Sequence, residues 1–178
     1  MFSGKTTQLL KEIERCELKD KKVILFKPKL DTRYNNEKVV THDGYFKSAI
    51  TVYNSNEIMN FLLESDDAYD TIAIDEAFMI DDITDCLQFL YQHGKNIMIS
   101  TLDLSSDCVP FENIVKLFSY ATDIFKLKSV CTICGIDACY SYKKIDDGDI
   151  ISIGGSDKYE PRCFKHHPIM NVLEYNNV

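Results

Sequence analysis

The chain opens MFSGKTTQLL, residues 1–10, and the reading of Ser3, Gly4, Lys5 and Thr6 decides what kind of sheet the rest must build. Gly-Lys-Thr closes the pattern G-x-x-x-x-G-K-[ST], in which backbone N–H groups at the start of a helix cradle phosphates. The first glycine of that pattern, and the buried strand that normally leads to it, would lie upstream of Met1, so the chain as given opens inside the motif. A bare Gly-Lys-Thr also starts ordinary helices by chance, and the rest of the sequence must separate the two readings. Leu9, Leu10, Ile13 and Cys16 recur at helical spacing among charged residues, which predicts a helix beginning at Gly4.

Working outward, KKVILFKP (21–28) is a short apolar run closed by Pro28 and reads as a buried strand. A polar loop follows. SNEIMNFLLES (55–65) predicts a helix capped by Ser55 or Asn56, and DTIAIDE (70–76) a second buried strand ending in two acids. DDITDCLQFLYQHGK (81–95) predicts a helix stopped by Gly94, NIMISTLDL (96–104) a strand, PFENIVKLFSYA (110–121) a helix with Pro110 in its first turn, and DIFKLKSV (123–130) a last strand. Strands alternating with helices over short connections imply an α/β fold with a mainly parallel sheet covered on both faces. From Cys131 the texture changes to glycines and hairpin-like alternation, so the expected division is 1–130, a small unit at 131–168, and a short polar tail at 169–178.

The chain has 178 residues, 45% of them hydrophobic, enough for one core. With 20 basic against 28 acidic residues and a net charge of -8, it offers no broad basic surface for duplex nucleic acid. No apolar run approaches the roughly 20 residues that cross a bilayer, and no leader pattern precedes the first motif, so a cytoplasmic location without a membrane partner is expected. Of seven cysteines, Cys16, Cys86, Cys108 and Cys139 are scattered, which suits a reducing compartment.

Two constellations carry chemistry. The strand TIAI delivers Asp75 and Glu76 to its carboxyl end, where open α/β sheets bind ligands. By themselves the two acids also fit the start of a surface loop. Together with Gly4-Lys5-Thr6 they form the parts of a phosphotransferase: a lysine for phosphates, a hydroxyl for Mg²⁺ and an acid pair. The second constellation is Cys131-x-x-Cys134 and, after 28 intervening residues, Cys163-x-x-His166, which gathers four ligands of the kind tetrahedral Zn²⁺ prefers. His166 is favoured over His167 by spacing, while His42 and His93 read as loop and surface histidines.

MFSGKTTQLL, FKPKLDTRY, THD, IAIDEA, the Leu102-Asp103 and Pro110-Phe111 pairs, CTIC, IGGSDKY and CFKH occur in an order and spacing that resembles the cellular and poxvirus-type thymidine kinases, from Met1 to about His166. The resemblance implies a RecA-like P-loop fold with a small zinc-ribbon and lasso domain. It further implies transfer of the γ-phosphate of ATP to the 5′-hydroxyl of thymidine, with ATP, Mg²⁺ and structural Zn²⁺ as cofactors. Ser3, Gly4, Lys5, Thr6 and Thr7 would hold the nucleotide, with Asp31 and Asp75 near its metal. Glu76 would accept the hydroxyl proton, and Arg33 and Lys5 would meet the transferring phosphoryl group. Met1, Leu102, Phe111 and Ser141 would line the nucleoside pocket under a lasso from Ile150 to Tyr159 that includes Ser152, Ile153 and Gly154. The family also implies a role in nucleotide salvage, feedback by dTTP and a homotetramer. Phe78, Met79, the polar sequence around Ser106, and Ser141 depart from the family pattern, and a looser pocket would admit deoxyuridine. The competing readings are a catalytically silent or broadened-specificity homologue acting as a nucleotide-binding subunit, and an unrelated P-loop ATPase with a zinc ribbon.

Overall fold

The structure, a computed structural model, describes residues 2–31, 38–41, 43–145 and 153–171. Helix α1 (Lys5–Glu17) leads to strand β1 (Val23–Pro28), a hairpin of β2 (Lys38–Val40) and β3 (Phe46–Ser48), strand β4 (Ile50–Val52) and helix α2 (Ser55–Glu64). Strand β5 (Thr71–Ile74), helix α3 (Ile83–Gln92), strand β6 (Asn96–Ile99) and helix α4 (Glu112–Phe118) complete the larger unit. β4, β1, β5 and β6 lie side by side in that order, and every neighbouring pair is parallel.

The pleat explains why the sheet needs cover on both sides, since adjacent residues point to opposite faces. Leu25 and Ala73 meet Leu9, Leu10 and Ile13 of α1. Phe26, Ile72 and Ile74 face the other way, into a cluster with Ile58 of α2, Ile83, Leu87 and Leu90 of α3, and Ile114 of α4. A doubly covered strand therefore reads as a continuous apolar run, which is how VILF and TIAI stand out. Among the described residues, no helix is long and apolar enough to cross a membrane.

Several local expectations need correction. α2 is capped by Asn54, not Ser55 or Asn56: the Asn54 side chain accepts from Glu57 N at 3.2 Å, and Glu57 Oε2 accepts from Tyr53 N at 2.9 Å. Ser55 is instead buried. Pro110 precedes α4, bridging to Leu104, and Phe111 occupies the N-cap. The polar loop after β1 contains the β2–β3 hairpin and β4, whose short strands gave little apolar periodicity. DIFKLKSV forms no long strand: only Ser129–Val130, β7, pairs, with β8 (Asp137–Ala138), and antiparallel. Ile124 and Phe125 stay exposed, because among the described residues no strand joins the outer edge of β6 to give that segment a ladder. Beyond β8, β9 (Tyr140–Lys143) and β10 (Tyr159–Arg162) form an antiparallel pair, the hairpin texture expected there.

Candidate active site

Gly4 sits at the N-cap of α1 with φ of 76°, a left-handed conformation that any Cβ would strain, and no side chain caps the helix. The first-turn amides of α1 are thus available to an anion, reinforced by the helix dipole. One turn in, Thr6 Oγ1 donates to Asp75 Oδ2 at 3.1 Å, tying the helix start to the end of β5. Asp75 follows the last paired residue of β5, and its amide bonds Phe26 O of β1 at 3.0 Å.

Both acids are buried. Burial, then the Glu76 charge beside it, pushes the Asp75 carboxyl up to about 6, against the opposing pull of Ser100, Lys5 and Thr6. Ser100 Oγ is itself buried and makes no hydrogen bond of good geometry, although it lies close enough to favour the ionised Asp75. Glu76 holds φ of 51° at the start of a short 3-10 turn, Ala77–Met79. A non-glycine residue in that region is strained, and it is kept there by Ala77 N bonding Ser100 O at 3.0 Å while Ser100 N bonds Ile74 O at 2.8 Å. The neighbouring strand therefore sets the direction of the acid pair.

These groups line one cavity. Ser3, Gly4, Lys5, Thr6 and Thr7 line it together with Asp31, Asp75 and Glu76. Leu102 and Phe111 line it too, as does Phe78, whose ring lies 4.8 Å from that of Phe111 at 38°. Ser141, Gly154 and Tyr159 reach the same cavity from the smaller unit. Ile153 is half-buried but does not line it. Met1, Arg33, His42, Ile150 and Ser152 lie outside the described residues. His93 is exposed at the end of α3.

The donor atoms of Cys131, Cys134, Cys163 and His166 all lie within 4.8 Å of one another. Cys134 Sγ and Cys163 Sγ are 3.7 Å apart, close to the ~3.8 Å edge of a tetrahedron with Zn–S bonds of about 2.3 Å. Burial opposes ionisation of Cys131, but the amides of Cys163, Cys134 and Ile133 and the His166 ring bring its thiol down to about 5. That donor set and spacing fit zinc. His167 points elsewhere: fully buried, its Nε2 lies 3.3 Å from Ser141 O and its Nδ1 3.6 Å from Cys108 Sγ.

Across residues 1–167 the chain matches the family model described as thymidine kinase. This chain belongs to the thymidine kinase family. Membership makes the chain an enzyme that phosphorylates thymidine, and does not favour a silent nucleotide-binding subunit. In this thymidine kinase, sequence reasoning missed Lys27, Ser100 and His167. Lys27 carried a signal, a charge at the end of an otherwise apolar strand. Ser100 and His167 did not, because a strand-end serine and the second of two adjacent histidines are ordinary until their neighbours are known.

Proposed function

We propose that this enzyme transfers the γ-phosphate of ATP to the 5′-hydroxyl of thymidine, as a cytoplasmic step of nucleotide salvage. The observation that carries it is the Thr6–Asp75 hydrogen bond, which joins the phosphate-binding helix start to the acid pair within one cavity. The α1 amides and Lys5 hold the phosphate chain. Glu76 takes the proton as the 5′-oxygen bonds phosphorus and the bond to the ADP leaving group breaks. Thr6, Asp75 and Asp31 offer hard oxygen donors suited to Mg²⁺, which when bound neutralises charge on the β- and γ-phosphates. Phe78 and Phe111 give the base an apolar wall, while Ser141, Gly154 and Tyr159 approach from the zinc-bearing unit.

Family resemblance supports the finer assignments: Arg33 at the transferring group, Met1, Ile150, Ser152 and Ile153 around the nucleoside, a two-unit division near residue 130, dTTP feedback and a homotetramer. With Phe78 and Met79 on the base side, deoxyuridine is a second substrate.

Glu76→Gln tests the reading. Removing a general base lowers kcat by about 10²- to 10⁴-fold, with the KM for thymidine nearly unchanged. A variant that keeps parental kcat assigns Glu76 to structure alone.

A further inference from the structure

Lys27 is next to last in β1, is 2% exposed, and lines the same cavity as Lys5, Thr6, Asp75 and Glu76. Lysine is almost never so buried unless paired. Its Nζ lies 3.9 Å from Asp31 Oδ2, on a carboxylate only 5% exposed, and donates to Lys38 O of β2 at 3.4 Å. Desolvating such a pair costs several kcal/mol per ion, and a well-packed apolar pair of similar volume is often as stable or more so. Stability alone therefore does not call for a lysine and an aspartate here.

What the location does call for is charge. Asp31, Asp75 and Glu76 share one cavity that must also receive a polyphosphate, and anions do not gather without cations among them. Lys5 stands at the helix start, where its charge favours the ionised form of Asp75. Lys27 stands on the β1–β2 side, against Asp31. The i,i+4 spacing spans the bend after Pro28, where Asp31 N bonds Pro28 O at 3.0 Å, so the ion pair fixes Asp31 as the chain leaves the sheet.

We infer that Lys27 is a positioning residue for nucleotide binding: it holds the Asp31 carboxylate at the phosphate side of the cavity and supplies the second fixed positive charge that lets metal-bound nucleotide enter beside three acids. The inference rests on the kinase reading of the cavity. It also separates Lys27 from a mere clamp of β2 on β1. A clamp would affect both ends of the cavity, since Val39, Val40 and Thr41 line it too; a charge that places Asp31 affects the metal-nucleotide end.

The test uses the full chain and four variants, Lys27→Met, Lys27→Arg, Asp31→Asn and the double Lys27→Met/Asp31→Asn. Binding of Mn²⁺·ADP is followed by the electron paramagnetic resonance of free Mn²⁺, with steady-state kinetics alongside. Lys27→Met weakens Mn²⁺·ADP binding and raises the KM for MgATP by on the order of 10-fold, equivalent to about 1.4 kcal/mol, and leaves the KM for thymidine unchanged. Lys27→Arg recovers most of the loss. The double variant, which removes both buried charges, melts close to the parent and binds Mn²⁺·ADP more weakly than Asp31→Asn alone, so the contribution of Lys27 is read even if its single variant folds poorly. Parental binding by Lys27→Met, or full recovery of binding in the double variant, overturns the inference while leaving the kinase reading intact. A parent chain that binds no Mn²⁺·ADP overturns both.

Discussion

Asp75→Asn should stabilise the Mg²⁺-free protein while impairing nucleotide binding. Asp75 rises from 3.8 to about 6 because burial and the Glu76 charge disfavour its ionised form. A rise of about two pH units corresponds to roughly 3 kcal/mol between the two protonation states. The folded state holds this proton more tightly than the unfolded chain, so the stabilising effect of protonation is fully present below pH 3.8 and is lost as pH rises through about 6. Above that, the ionised carboxylate carries the whole penalty. Asparagine keeps the shape, carries no charge, and its Oδ1 still accepts from Thr6 Oγ1. At 2–4 °C per kcal/mol for a chain of this size, the variant should melt about 6–12 °C above the parent near pH 8. The advantage narrows to about half near pH 5, where the parent binds the proton for itself. Thermal melts of the zinc-loaded protein without added Mg²⁺ at the two pH values, with ADP titrations in Mg²⁺ or Mn²⁺, give the answer. An Asp75→Asn protein no more stable than the parent near pH 8, or a gap that does not change with pH, refutes the account of the buried pair.

Metal analysis should find one Zn²⁺ per chain, and Cys131→Ser should lose it; structural zinc contributes about 10 kcal/mol or more in small elements, so the 131–167 unit should lose its order while the parallel sheet persists by circular dichroism. Because protons compete with the metal for the three thiolates and for the His166 ring, zinc should be held at neutral pH and released on acidification. His167→Ala should keep its zinc but raise the KM for thymidine several-fold, since the ring joins Ser141 O to the 105–109 loop on either side of the cavity. Its burial also predicts a stability loss of about 2–4 kcal/mol, and unchanged thymidine KM in a folded variant removes His167 from pocket support.

The parts legible in the sequence were those fixed by short-range chemistry. VILF and TIAI announced strands buried on both faces, Leu9, Leu10 and Ile13 announced a helix with one apolar stripe, and Cys131, Cys134, Cys163 and His166 carried metal-ligand spacing in themselves. What stayed hidden depended on partners distant in the chain. Whether 123–130 becomes a strand is decided by a neighbouring edge, and its own β-like composition could not reveal that. β2, β3 and β4 are three residues each, too short for periodicity to separate from loop. In the cavity, the phosphate loop and acid pair were readable as motifs, whereas Lys27 against Asp31 and His167 against Ser141 are facts of three-dimensional placement.

The link between β6 and the acid pair has a dynamic consequence. Among the described residues β6 pairs only with β5, and its continuation, Ser100, holds the Ala77 amide and so the strained Glu76 turn. Outer strands with unshared ladders are the first to open in native-state fluctuations, often far below the free energy of global unfolding. Each such fraying event loosens the support beneath the acid pair, so the rate at which the amides of 96–101 exchange with deuterated solvent becomes a gauge of how often the two carboxylates lose their alignment. Occupation of the cavity that ties Thr6, Asp75 and the nucleotide together should slow that exchange, leaving catalytic readiness and marginal sheet stability as two views of one local equilibrium.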